Sequence, residues 1–168
     1  MVNFFRYSTE IWSITIAEED GSLTALRFGA PEIIGTEAET PLLQEASRQL
    51  HAYLSGVLTT FALPLSPHGT PFQQKVWDAL LEIPYGATIS YGELAKRIGN
   101  PKACRAVGMA NNRNPIAIVI PCHRVIGANG SLTGYGSGLE LKCQLLLLEQ
   151  GNQGGKENVK NRMSFISF

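Results

Sequence analysis

Residues 90–110 read Ser90-Tyr91-Gly92-Glu93-Leu94-Ala95-Lys96-Arg97-Ile98-Gly99-Asn100-Pro101-Lys102-Ala103-Cys104-Arg105-Ala106-Val107-Gly108-Met109-Ala110. Ser90 followed by Glu93 has the form of a capping box, in which the two side chains satisfy each other's exposed backbone donors. It starts a short helix bearing Leu94, Ala95 and Ile98. Gly99 breaks that helix, Asn100 caps the next and Pro101 starts it, with Ala103, Ala106, Val107 and Ala110 facing inward. Two short helices about a tight glycine turn form a helix-turn-helix. Many core helix pairs share that pattern, so the surface chemistry decides. Lys96 and Arg97 end the first helix, Lys102 and Arg105 lie on the second, and Arg113 follows; cations so placed can neutralise phosphates. The small residues Ala103, Ala106, Gly108 and Ala110 suit close approach to a groove, or tight packing against another helix.

Charge along the chain agrees with a polyanion partner for this part alone. The 168 residues are neutral overall, yet residues 1–70 carry a net −5, residues 71–135 a net +4 and the remainder +1. With 44% hydrophobic and 17% charged residues the chain can bury a core, which excludes global disorder. No apolar run approaches the ~18 residues of a bilayer span, and Met1-Val2-Asn3-Phe4-Phe5-Arg6 lacks a signal-peptide hydrophobic region. A cytosolic protein is expected. The three cysteines, Cys104, Cys122 and Cys143, have no metal-type spacing, so neither a disulfide framework nor a zinc or Cys-x-x-Cys site is indicated.

Upstream, Thr70 offers an N-cap with Pro71 in the first turn, and Phe72, Val76, Ala79, Leu80 and Ile83 make the apolar stripe of a core helix ended by Pro84-Tyr85-Gly86. Pro64 to Thr70 concentrates turn formers and is read as a linker, 64–70, between domains. Within residues 1–63, Ile11–Ala17 and Leu23–Phe28 flank Glu18-Glu19-Asp20-Gly21 as a β-hairpin, and Leu42, Leu43, Ala46, Leu50, Tyr53 and Leu54 recur at helical spacing after Pro41, with Gly56 as the stop. These residues form a small α+β domain.

Downstream lies the chemistry. After Asn111-Asn112-Arg113-Asn114-Pro115, the apolar run Ile116-Ala117-Ile118-Val119-Ile120 reads as a buried strand and delivers Pro121-Cys122-His123-Arg124-Val125-Ile126. A free thiol near pKa ~8.5 is only a few per cent thiolate at neutral pH. His123 is placed to take its proton, directly or through one water, and Arg124 adds positive charge nearby. The imidazole needs a carboxylate orienter. The final helix offers Glu140 near its start, where a negative charge complements the helix dipole, and Glu149 near its end, where it does not. Glu149, misplaced for the helix, is the nominee. Cys104 and Cys143 have no histidine beside them and are read as packed or simply exposed. Gly134-Tyr135-Gly136-Ser137-Gly138 is a glycine-rich loop with hydroxyl donors, without the Lys-Ser/Thr of a phosphate loop.

Together, Asn112 to Pro115 and Ile120 to Ile126 resemble the active-site signature of the methylated-DNA–protein-cysteine methyltransferases, the O6-alkylguanine repair proteins. The resemblance runs from about Phe72 to Gly151 and takes in Ile89-Ser90-Tyr91, Gly99-Asn100-Pro101-Lys102, Cys104-Arg105-Ala106-Val107-Gly108 and Gly134-Tyr135. It implies an α+β protein, with an RNase H-like N-terminal α/β domain followed by a mainly helical winged helix-turn-helix domain over 71–151 and a mobile tail over 152–168. It implies that Cys122 accepts the alkyl group, with His123 and Glu149 forming a relay through water. Asn114 ties the turn before the site to the pocket, and Tyr91 donates to the departing purine and lies near the phosphate of the flipped nucleotide. Arg105 fills the space left by the extruded base, and the helix pair enters the minor groove through Lys102, Ala103, Ala106 and Arg113. Val125, Tyr135, Gly136 and Ser137 line the pocket.

A base alkylated at O6 must be flipped out before it can be attacked. The thioether product resists water, so each molecule acts once. The partner is double-stranded DNA with alkylated bases, no metal or organic cofactor is called for, and a monomer is expected. The chain departs from the family at Gly136-Ser137-Gly138, where a small residue and two glycines are usual, at Cys143-Gln144, and in lacking the zinc-binding cysteines of some relatives. A cysteine hydrolase built on Cys122, His123 and Glu149 would instead turn over an activated ester repeatedly, and a non-catalytic damage-flagging protein would lack Cys122.

Overall fold

The computed structural model describes residues 1–9 and 12–153. The chain divides into two compact units: Met1–Gly69 with Pro115–Val119, and Thr70–Asn114 with the chain from Ile120 onward.

In the first unit, strands β1 (Asn3–Ser8), β2 (Ser13–Glu19), β3 (Ser22–Phe28) and β4 (Thr36–Glu37) form one sheet in the order β3-β2-β1-β4. The expected hairpin is β2–β3, and Asp20 (φ 51°) and Gly21 (φ 78°) give its two-residue turn the left-handed pair that matches strand twist. β2 is central and is buried from Ile14 to Glu18, so it reads as a continuous run rather than an alternation. Helix α1 (Pro41–Leu54) has Pro41 in its first turn as read, and Thr40 caps it by accepting from Leu43 N–H. It sinks Leu43, Ala46, Leu50 and Tyr53 into the core. Buried Gln49 satisfies both backbone groups of Ala62, accepting from its N–H at 2.8 Å and donating to its carbonyl at 3.1 Å.

The run Ile116–Ile120 is not the expected strand. Leu26 donates its N–H to the Pro115 carbonyl and accepts from Ala117 N–H, a single bridge at Ile116; Val119 N–H then turns back to the Ala117 carbonyl and Ile118 adopts φ 70°. That conformation is costly for a β-branched residue. Burial of every side chain from Pro115 to Ile120 makes the run look like a strand, while its hydrogen bonds make it a turn.

The second unit comprises α2 (Pro71–Leu81), β5 (Ile89–Ser90), α3 (Tyr91–Arg97), α4 (Cys104–Asn112), a 3-10 turn (Cys122–Arg124), β6 (Val125–Ile126) and α5 (Leu139–Gln153). Thr70 and Gln73 form a complete capping box on α2. On α3 only half the expected box forms: Ser90 Oγ accepts from Glu93 N–H, while the Glu93 carboxylate reaches forward to Arg97. Gly99 (φ 79°) turns the chain as read, but α4 starts at Cys104, three residues after Pro101, with Ala103 as an N-cap lacking a side-chain bond. Val107 and Ala110 face inward; Ala106 is exposed, against expectation, and Ala103 is half-buried. Buried Trp77 pins α2 to α4 by donating to the Ala110 carbonyl at 2.9 Å.

The parallel pairing of β5 with β6, Ile89 to Val125 and Ser90 to Ile126, brings the start of α3 beside the residues after the thiol. Helix α5 continues past Gly151 to Gln153. From residue 154 on, the expected tail lies outside the described residues.

Candidate active site

Cys122 opens the 3-10 turn and is 4% exposed. Its N–H donates to the Ile120 carbonyl at 2.8 Å, and its carbonyl accepts from Val125 N–H. Asn114 holds the turn from outside: Nδ2 donates to the Ile120 carbonyl at 2.8 Å and to Cys122 Sγ at 3.1 Å. Burial pushes the thiol pKa up, and the Asn114 hydrogen bond with the positive charge of Lys142 offsets that only in part. The resting group is therefore a thiol that needs a base.

Wholly buried His123 and Glu149 meet through Nε2 and Oε2 at 2.9 Å. Burial pushes the Glu149 carboxyl up, but hydrogen bonds from His123 and Arg124 outweigh it and hold it below its usual value. Burial also lowers the His123 pKa, despite Glu149, so the imidazole is neutral at neutral pH. An ionised carboxylate can only accept, so Nε2 carries the ring proton and donates it to Glu149. Nδ1 then presents a lone pair, buried and without a hydrogen-bond partner among the described residues. It is therefore free to receive a proton.

Arg124 does not serve the thiol as the sequence suggests. Its fork is spent on Glu149, with Nε at 2.8 and 3.1 Å from the two carboxylate oxygens and Nη2 closing the second arm, while Nη1 donates to the Ile83 carbonyl at 2.6 Å. The charge that acts on Cys122 is Lys142, which sequence reading missed. Lys142 is wholly buried, and its Nζ donates to the carbonyls of Val125 (2.5 Å), Thr133 (3.0 Å) and Gly134 (3.3 Å). Burial brings its pKa down to about 8, with the Cys122 sulfur opposing the shift. Its spacing to Glu149 is a heptad, so two charges share one face of an otherwise Leu-rich helix; that pattern was its signal.

Tyr91, at the start of α3, donates its hydroxyl proton to Thr133 O at 2.7 Å and reaches Gly134 O at 3.2 Å. The proton expected for a departing base is thus held by carbonyls at the start of the glycine-rich loop, Thr133 and Gly134, in this structure. That loop lies against the last turn of α4: a Cβ on Gly136 would stand 2.9 Å from the Asn112 carbonyl oxygen, so only glycine permits the approach. Val125 is buried, Tyr135 half-buried, and Gly136 and Ser137 exposed. Lys102, Arg105, Ala106 and Arg113 are all exposed around α4. Among the described residues no group of three His, Cys, Asp or Glu side chains is placed to hold a metal, and no helix is long and apolar enough to cross a membrane.

Both units match known family models: residues 5–67 the ribonuclease-like domain, and residues 71–151 the DNA binding domain, of 6-O-methylguanine DNA methyltransferase. Fold and site thus define a two-domain class, a ribonuclease-like unit followed by a DNA-binding unit that houses a buried cysteine. The methylated-DNA–protein-cysteine methyltransferase of Methanosarcina acetivorans is 69% identical over 106 residues, 63% of this chain and 68% of that protein. The constitutive enzyme of Bacillus subtilis is 50% identical over 151 residues, 84% of this chain and 92% of its own. Among solved structures, the O6-methylguanine methyltransferase of Mycobacterium tuberculosis superposes with TM-score 0.83 at 44% identity, covering 96% of this chain and 99% of that one. The same organism's OGT in complex with DNA gives 0.83 at 48%, over 89% and 94% of the two chains. The chain belongs to the methylated-DNA–protein-cysteine methyltransferase family.

Proposed function

We propose that this protein repairs DNA by moving the alkyl group of O6-alkylguanine onto Cys122. The observation that carries the reading is the set of buried groups around one sulfur. Sγ accepts from Asn114, and His123 offers an unpartnered Nδ1 while its Nε2 is fixed by Glu149.

The Sγ proton passes through a water to Nδ1, and the resulting imidazolium is stabilised by Glu149, itself locked by Arg124. The Asn114 N–H and the Lys142 charge stabilise the thiolate. Sulfur attacks the alkyl carbon, the S–C bond forms, the C–O6 bond breaks, and the electron pair leaves with guanine. Tyr91 turns its hydroxyl from Thr133 to the base and donates as negative charge grows there, and the relay proton neutralises the purine. The base must first leave the stack, at a cost of a few kcal/mol. Arg105 takes its place in the duplex, Lys102 and Arg113 meet phosphates, and Ala103 and Ala106 allow α4 to lie close to the groove floor. Val125, Tyr135, Gly136 and Ser137 enclose the base.

Residues 71–151 carry the chemistry and DNA binding, 1–63 form a separate α+β domain and 64–70 link them; the protein acts once, as a monomer, in the cytoplasm. The test is stoichiometry on duplex DNA with a labelled O6-methylguanine. Protein-bound label rising to one equivalent and stopping is expected. Release of label into water beyond one equivalent would show hydrolysis instead.

A further inference from the structure

Asn111 has no part in the scheme above, yet it occupies a costly position. It lies in the last turn of α4, on the same inward face as Val107 and Ala110, and is 1% exposed. A buried amide there is unfavourable unless its groups are bonded, and an aliphatic side chain would fill the space more cheaply. Nδ2 donates at 3.2 Å to the carbonyl oxygen of Cys122, which already accepts from Val125 N–H. Oδ1 is buried with no hydrogen-bond partner among the described residues. The same amide also acts on the Tyr91 hydroxyl, opposing the upward push of burial on that phenol.

One side chain on α4 therefore touches the main chain of the nucleophile and influences the Tyr91 hydroxyl. The opposite side of that helix exposes Arg105, Ala106 and Met109. We infer that Asn111 is a positioning residue, which fixes the Cys122–His123 peptide to α4 so that seating this helix on DNA sets the direction of Sγ. The inference rests on the DNA reading of α4 given above. Holding the Cys122 carbonyl orients the peptide that carries both the thiol and the imidazole, so a small misplacement costs rate rather than affinity.

The test uses the full chain with Asn111→Leu, which keeps size and removes the amide, and Asn111→Asp, which keeps shape and adds charge. The first arm measures single-turnover methyl transfer from O6-methylguanine duplex at saturating protein, together with Kd for unmodified duplex. The second measures iodoacetamide alkylation of Cys122 across pH without DNA, located by peptide mass. For Asn111→Leu, transfer about 10-fold slower with Kd within about twofold is expected. For Asn111→Asp, the alkylation profile should move to higher pH, because a carboxylate opposes the thiolate. Partial rescue of transfer by Asn111→Gln supports the amide as the cause. Wild-type transfer rates and pH profiles in both variants, or losses that only track melting temperature, overturn the inference. If the wild type transfers no methyl while the alkylation profile moves as stated, the repair reading fails and the positioning role stands.

Discussion

Replacing Glu149 by glutamine keeps the volume and removes the charge on which two buried partners depend. In the wild type the carboxylate accepts from His123 Nε2 at 2.9 Å and from both arms of the Arg124 fork. Glutamine offers one acceptor oxygen for these donors and turns an amide toward the others. Breaking a buried ion pair from one side costs about 3–5 kcal/mol, because the remaining charge stays desolvated and unpaired. At about 2–4 °C per kcal/mol for a chain of this size, melting should fall by roughly 6–20 °C. Rate should suffer separately, since His123 loses the anion that fixes its tautomer and stabilises its imidazolium; a fall of about 10²- to 10⁴-fold is expected. Single-turnover methyl transfer, run well below the variant's melting point, separates the two effects. A variant that melts and transfers like the wild type would refute the buried relay.

Stability should depend on pH in a defined sense. The His123 pKa is depressed in the folded state, so below about 6.5 the unfolded chain binds more protons and stability falls with pH; Glu149, also depressed, extends the loss below about 4.3. Urea midpoints between pH 7 and 5 should show that fall, and His123→Phe should remove its first part. Arg105→Ala removes an exposed cation from α4 and should slow transfer from duplex at saturating protein by about 10-fold or more, while leaving iodoacetamide reactivity of Cys122 unchanged. Methylated protein should melt below fresh protein, because Cys122 is 4% exposed and an added carbon in a packed site costs about 1–3 kcal/mol; equal melting temperatures would contradict this.

What was legible in the sequence is what is encoded locally. Pro41 and Thr70-Pro71 announce α1 and α2, Asp20-Gly21 announces the hairpin, and Glu149 stands out by sitting where a helix disfavours it. The Cys122-His123-Arg124 triplet is contiguous, so its chemistry needed no fold, although Arg124 turned out to serve Glu149. What was hidden depends on distant partners. Parallel β5–β6 pairing is two residues long and joins segments with two helices between them. β4 is likewise a two-residue strand, paired with β1. Ile116–Ile120 has strand composition because it is buried, which composition cannot separate from hydrogen bonding. Lys142 and Asn111 each interrupt an apolar helix face, a signal that periodicity carries but that propensity alone discounts.

The central claim is that the Cys122 sulfur takes a carbon permanently from a damaged base. Incubation with duplex carrying a methyl-labelled O6-methylguanine, followed by proteolysis and peptide mass mapping, tests it at the atom concerned. Label on Cys122 alone, lost in Cys122→Ala while duplex binding persists, is the predicted result. Label on exposed Cys104 or buried Cys143, or none on protein, would contradict it.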